Sequence, residues 1–210
     1  KISVVIKKMS NKIYFVLDRS GSMEPFAEKT LDGLHGFIKE QADNTTFTLN
    51  LFNDKVSTIY SNVIKKNVRH LRKAVYRPNG GTALMDAIGH TIKMAEDAEP
   101  KQWADWNDDD TVTVVILTDG EENSSTEYKT DGIHNLIESK RMTGWKFVFL
   151  GANQDAFKVA EEICVNREST LSFDMGVISS AISSVGSAVS RMISGKTPTV
   201  EFTAEERSQS

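Results

Sequence analysis

The chain has 210 residues, about one and a half average domains, and is long enough to bury a core without disulfide staples. Its 25 Lys and Arg against 29 Asp and Glu leave a formal net charge of −4, which argues against a general nucleic-acid coat. No apolar run reaches the roughly 18 residues of a membrane helix, and the single cysteine, Cys164, excludes an internal disulfide and a Cys-based metal cluster and suits a reducing compartment.

Residues 1–8 (KISVVIKK) carry an apolar run too short for a signal peptide and read as an extension or a short extra edge strand ahead of Met9. Residues 13–17 (IYFVL) are apolar, β-branched and aromatic, as a strand buried on both faces requires. Pro25 suits the first turn of a helix, and Phe26, Leu31, Leu34, Phe37 and Ile38 continue it at helical spacing to about Gln41. Residues 47–52 form a second strand, Asn53-Asp54 a turn pair, and residues 56–60 a strand close enough to pair antiparallel. A short helix is expected at 68–75, broken by Arg77-Pro78-Asn79-Gly80-Gly81. A longer helix is expected at 84–98.

Residues 111–117 (TVTVVIL) are the strongest strand in the sequence. A helix at 133–142, a strand at 145–150, a helix at 156–163 and a short strand at 170–173 follow. Ile178, Ile182, Val185, Val189 and Met192 then mark a final helix whose other positions are mostly Ser, Ala and Gly. This alternation predicts an α/β, Rossmann-like, doubly wound fold. Its six-stranded sheet is mostly parallel, with one antiparallel edge strand and helices on both faces. The expected division is an extension at 1–8, one domain at 9–195 including the last helix, and a tail at 196–210.

Three segments lie just past a strand's carboxyl end or open a helix: Asp18-Arg19-Ser20-Gly21-Ser22-Met23, Gly80-Gly81-Thr82-Ala83-Leu84-Met85-Asp86, and Thr118-Asp119-Gly120-Glu121-Glu122-Asn123. Open α/β sheets bind ligands there. Two carboxylates and three hydroxyls from separate loops make an all-oxygen pocket, which suits Mg²⁺ or Mn²⁺ far better than Zn²⁺. Mg²⁺ keeps several waters at roughly 2.1 Å, so a few protein ligands leave coordination positions open.

These segments resemble the von Willebrand factor type A domain with its metal-ion-dependent adhesion site, whose signature is Asp-x-Ser-x-Ser, a distant Thr and an Asp after the fourth strand. Asp18, Ser20, Ser22, Thr82 and Asp119 match it, and the likeness runs from about Ile13 to Ile163. The Leu-Asp-Arg-Ser-Gly-Ser-Met wording is closer to the bacterial, phage and intracellular branches than to animal adhesion receptors. The resemblance implies direct coordination by Ser20 and Ser22, direct or water-mediated coordination by Asp18 and Asp119, and entry of Thr82 when a ligand binds. It implies Mg²⁺, with Mn²⁺ as a substitute and Ca²⁺ ranked behind them.

Other residues carry plainer readings. Glu121 and Glu122 are expected to be exposed loop acids, and the acids from Glu96 to Asp110 a solvated loop at the sheet end opposite the site. Trp103 and Trp106 are expected to pack that loop. Lys65, Lys66, Arg69, Arg72, Lys73 and Arg77 form the main basic concentration, either a solvated helix face or a steering patch for an acidic partner. His35, His70, His90 and His134 show no metal-ligand spacing, and Cys164 reads as a buried structural thiol.

The functional expectation is a non-catalytic, Mg²⁺-dependent protein-binding module inside a cytoplasmic multi-protein assembly, of the ATPase-associated, stress-response or phage kind. A partner's Asp or Glu would complete the metal's coordination, with no role for a membrane or nucleic acid. Two alternatives stand beside it. One is a Mg²⁺-dependent phosphohydrolase using Asp18 and Asp119, against which neither residue stands in an Asp-x-Asp nucleophile motif, the chain has no Walker loop, and the Asp18 loop has no evident general base. The other is a structural or virion component assembling through its last helix and tail.

Overall fold

A computed structural model describes residues 10–98, 110–152 and 155–210. Among these residues, six strands form one sheet in the order β3-β2-β1-β4-β5-β6. They are β1 (Asn11–Asp18), β2 (Thr45–Phe52), β3 (Val56–Ile64), β4 (Thr111–Thr118), β5 (Lys146–Ala152) and β6 (Thr170–Phe173). Among the described strands only the β2–β3 pairing is antiparallel, and β3 lies at an edge, as the sequence predicts. The helices are α1 (Ala27–Glu40), α2 (Leu84–Ala98), α3 (Thr130–Met142), α4 (Ala156–Glu162), α5 (Ile178–Ile193) and α6 (Ala204–Ser208).

Strand alternation sends β1 side chains into two cores. Ile13, Phe15 and Leu17 join the layer under α1 and α5, while Tyr14 and Val16 join the layer under α2, α3 and α4. Both faces are therefore covered, which is why the parallel strands read as continuous apolar runs. The small-residue face of α5 packs against α1. A Cβ on Gly33 would stand 3.0 Å from Ile182, and one on Gly186 would stand 3.3 Å from the Phe37 Cα. Residues 196–210 fold back onto the domain. Val200 and Phe202 are buried, Arg191 holds Glu206 with both terminal nitrogens at 2.8 Å, and Arg207 donates to the carbonyls of Arg167, Glu168 and Thr170.

Two local expectations change. Pro25 sits in a 3-10 helix, Gly21–Phe26, that precedes α1 rather than in the α-helix itself. Residues 68–75 are not helical: a 3-10 turn, Lys65–Asn67, is followed by an irregular climb. The buried side chains of Leu71 and Tyr76 anchor that climb, and the Leu71 N–H donates to His35 Nε2 at 3.0 Å instead of to a helical carbonyl. Tertiary anchoring outweighs the weak helical pattern.

The start of the basic segment lies away from the three loops, while its end returns to them, where Tyr76, next to Arg77, bonds Asp18 O. Ile64 pairs with Thr46 at the amino end of β2, so Lys65 and Lys66 lie at the sheet end opposite the three loops, about eight strand residues or ~26 Å away. Lys65 is paired with Asp43 at 3.1 Å, and Lys73 with Glu28 at 2.7 Å. Glu96 and Asp97, at the end of α2, and Asp110, just before β4, occupy the far end as expected; Trp103, Trp106, Glu99, Asp105, Asp108 and Asp109, like residues 1–8, lie outside the described residues.

Candidate metal centre

β1 and β4 are parallel neighbours with Leu17 beside Leu117, so Asp18 and Asp119 leave the sheet at adjacent points. The connection from β1 passes to α1 on one face, and that from β4 to α3 on the other. The gap between them is the switch point at which such sheets hold ligands.

All five sequence-predicted residues converge there. Asp18 Oδ1 accepts the Ser20 N–H at 2.6 Å, and Asp18 Oδ2 accepts the Thr118 hydroxyl at 2.6 Å. Asp119 Oδ1 accepts from Ser22 Oγ at 2.8 Å and from Ser20 Oγ at 3.5 Å, and the two serine oxygens stand 3.1 Å apart. Thr82 Oγ1 lies 3.0 Å from the position a Cβ would take on Gly120, and Ser22 Oγ lies 3.9 Å from that same point. Asp18, Ser20, Thr82 and Asp119 are buried, while Ser22 opens to solvent.

The Thr82 loop is held from both sides. Gly21 N–H donates to Gly80 O at 3.1 Å, Thr82 N–H donates to Asn123 Oδ1 at 2.9 Å, and Asn123 N–H returns to Thr82 O at 3.1 Å. Asp54 Oδ1 accepts the Gly81 N–H at 3.0 Å, and Asn53 Nδ2 donates to Asn79 O at 2.9 Å. Gly80 has φ +76, and a Cβ there would overlap the Asp54 carboxylate, so glycine is required on two counts.

Electrostatics give the pocket its purpose. Burial pushes the Asp18 carboxyl up to about 6 against the opposing hydrogen bonds from Thr118 and Ser20, and the nearby Asp119 adds to the rise. Burial also raises Asp119, again against the serine hydrogen bonds. Two desolvated carboxylates facing one another are costly until a cation stands between them. Carboxylate and hydroxyl oxygens without a sulfur or imidazole fit a hard divalent ion.

Sequence reasoning missed the supports of this site. Tyr76 reaches in to donate its hydroxyl to Asp18 O at 2.6 Å, and Thr118 bonds the carboxylate as described. Glu122 is no free loop acid. It accepts from the N–H groups of Met85, Ser124 and Ser125 and from the Ser125 hydroxyl. Asp86 accepts the N–H groups of Thr126, Glu127 and Tyr128, pinning the β4–α3 loop to α2. The available signal was the polar density of the three segments, since Asx and Glu side chains in loops commonly bond backbone amides.

A sequence profile of the von Willebrand factor type A domain matches residues 12–184. The chain belongs to that family. Among solved structures, the VWA fold here is similar to proximal thread matrix protein 1 from the mussel byssus with a zinc-occupied MIDAS motif. The TM-score is 0.59 at 17% identity, over 83% of this chain and 46% of that one. It is also similar to a von Willebrand factor type A protein from Catenulispora acidiphila, with a TM-score of 0.62 at 15% identity over 87% and 43% of the two chains. Manganese-loaded TRAP from Plasmodium vivax matches with a TM-score of 0.58 at 15% identity over 92% and 74%. At such identities the likeness carries the fold alone, and this VWA chain spans less than half the length of the mussel and Catenulispora proteins. No curated protein matches it in sequence. Among the described residues, no helix is long and apolar enough to cross a membrane.

Proposed function

We propose that this VWA domain is a non-catalytic interaction module whose bound Mg²⁺ or Mn²⁺ is completed by a carboxylate from a partner protein. The observation that carries the reading is the convergence of Asp18, Ser20, Ser22, Thr82 and Asp119 at the switch point, with both carboxyls driven up by burial. When bound, the ion would supply a Lewis-acidic anchor. The chain's own residues preorganise its oxygen donors: Thr118 and the Ser20 amide fix Asp18, while Ser22 and Ser20 orient Asp119. Two carboxylates balance the charge of a dication while a coordination position stays open, and an incoming Asp or Glu fills it.

Among the described residues, the hydrogen bonds of the five run to hydroxyl, carboxylate, side-chain amide and backbone groups, and the absence of a His or Lys among these partners favours binding over hydrolysis. An intracellular setting, of the bacterial or phage kind, is the companion proposal, supported by the Asp18–Met23 wording and the lone cysteine. Two of the similar solved structures hold zinc or manganese, so the proposal of Mg²⁺ rests on the all-oxygen donors.

The test uses proteins captured from the source organism in Mg²⁺ and released by chelator, each then purified and measured against the domain. The reading expects affinity to fall with chelator, with Asp119→Ala, and with one Asp or Glu substitution in the partner. Undiminished binding in chelator, or turnover in a phosphatase and nucleotidase panel that Asp18→Ala abolishes, would end it.

A further inference from the structure

Among the described residues, a second group of metal-binding side chains lies on the layer of α3 and α4. His134 and Glu138 stand four residues apart on α3, one turn along the same face, and Cys164 follows α4. One ligand atom from each of the three lies within 4.8 Å of the others. In a tetrahedral zinc site with metal–ligand bonds of roughly 2.0–2.3 Å, neighbouring donors are about 3.3–3.8 Å apart. Metal binding therefore requires the donors to draw in by about 1 Å, a movement available to the exposed Glu138 side chain.

The surroundings are those of a metal site. His134 Nδ1 is 3.0 Å from the Glu162 carbonyl, which can only accept. With Nδ1 donating to that carbonyl, Nε2 is the nitrogen left to face a metal, as the outer partner of a ligating histidine commonly arranges. Arg141 Nη1 donates to Cys164 O at 2.8 Å and to Cys164 Sγ at 3.1 Å, while Nη2 holds Asn166 Oδ1 at 2.5 Å. The sulfur is thereby fixed in place with a hydrogen-bond donor already directed at it. Cys164 is half-buried rather than the buried thiol the sequence suggests, and it adopts φ +63, a conformation in which glycine would cost less.

We infer that His134, Glu138 and Cys164 form a second metal site, selective for Zn²⁺, that clips α3 to the turn after α4. One cysteine cannot build a Cys-based cluster, but one sulfur, one imidazole and one carboxylate make a three-ligand set with room for water. The mixed donors are borderline-soft, which sets this site apart from the all-oxygen pocket. None of its three residues takes part in the hydrogen bonds of the Asp18–Asp119 site.

Co²⁺ replaces Zn²⁺ and reports a thiolate ligand by a near-ultraviolet charge-transfer band, which the sulfur-free adhesion site cannot give. The full chain carrying Asp119→Ala, kept reduced by a phosphine, is titrated with Co²⁺ and then with Zn²⁺. The inference expects a band that one equivalent of Zn²⁺ removes. It also expects the band to vanish in Cys164→Ser and affinity to drop about a hundredfold in His134→Ala and Glu138→Gln. Cys164→Gly relieves the positive φ, so it should fold at least as well as the parent while giving no band. No band in the reduced parent overturns the site, and so does a band of unchanged affinity in both His134→Ala and Glu138→Gln.

Discussion

Ser22 donates its hydroxyl to Asp119 Oδ1 at 2.8 Å across 97 residues of sequence. That one bond joins the loop after β1 to the loop after β4, and it orients a carboxylate whose burial would otherwise be unfavourable. The two strands are adjacent only because the connection from β3 through α2 crosses β1 before the chain re-enters the sheet as β4. Topology thus brings the donors together, and hydrogen bonds aim them.

The raised carboxyl of Asp18 predicts an unusual pH dependence for the metal-free protein. An acid whose folded value lies above its unfolded one stabilises the fold below the unfolded value, and that contribution is lost as pH rises through the folded value. For Asp18 the window runs from about 4 to about 6. Two units amount to about 3 kcal/mol. In chelator, wild type should lose roughly that much stability relative to Asp18→Asn between pH 4 and pH 7, measured by urea melts. A constant difference between the two proteins across that range would contradict the burial argument.

Gly80→Ala tests the loop. The substitution strains a backbone at φ +76 and drives a methyl into the Asp54 carboxylate. A loss of about 1–3 kcal/mol is expected, along with weaker metal binding because the Thr82 loop must shift. Thermal melts with and without metal read both effects.

Thr82→Val keeps the buried shape and removes the hydroxyl. If Thr82 acts when a partner carboxylate is present, partner affinity should fall about tenfold to a hundredfold with the metal affinity little changed. Calorimetry with each ligand separately distinguishes this from a simple metal ligand, for which both affinities would fall together.

Ile182 is fully buried between α5 and α1, within van der Waals reach of the Gly33 position. Ile182→Asp should cost several kcal/mol, seen as a shifted denaturation midpoint. Wild-type stability would mean that α5 is not part of the core.

Much of this arrangement is legible in the sequence, and the reasons are physical. The runs at 13–17 and 111–117 are apolar because both faces of their strands are covered, so strand and burial are read together. The five site residues stand out because glycines and hydroxyls cluster where strands end. What escaped was long-range. Nothing local in residues 68–75 shows that Leu71 and Tyr76 will be pulled into the core, or that His35 will take the Leu71 amide. The same failure misplaced Lys65 and Lys66, whose position depends on the length of β3. Glu122 reads as a solvent-facing acid, and nothing local marks Asp86 as a support, because their backbone partners lie about forty residues away or in the adjoining turn.

The most direct test of the central claim is calorimetric titration of Mg²⁺ into the metal-free chain at neutral pH, beside Asp18→Ala and Asp119→Ala. The account predicts one saturable site in wild type, absent from both variants. It also predicts a stabilisation of about 1.4 kcal/mol at ten times the dissociation constant. Equal binding and equal stabilisation in all three proteins would show that the ion sits elsewhere, and that the convergence of Asp18 and Asp119 is not a metal centre.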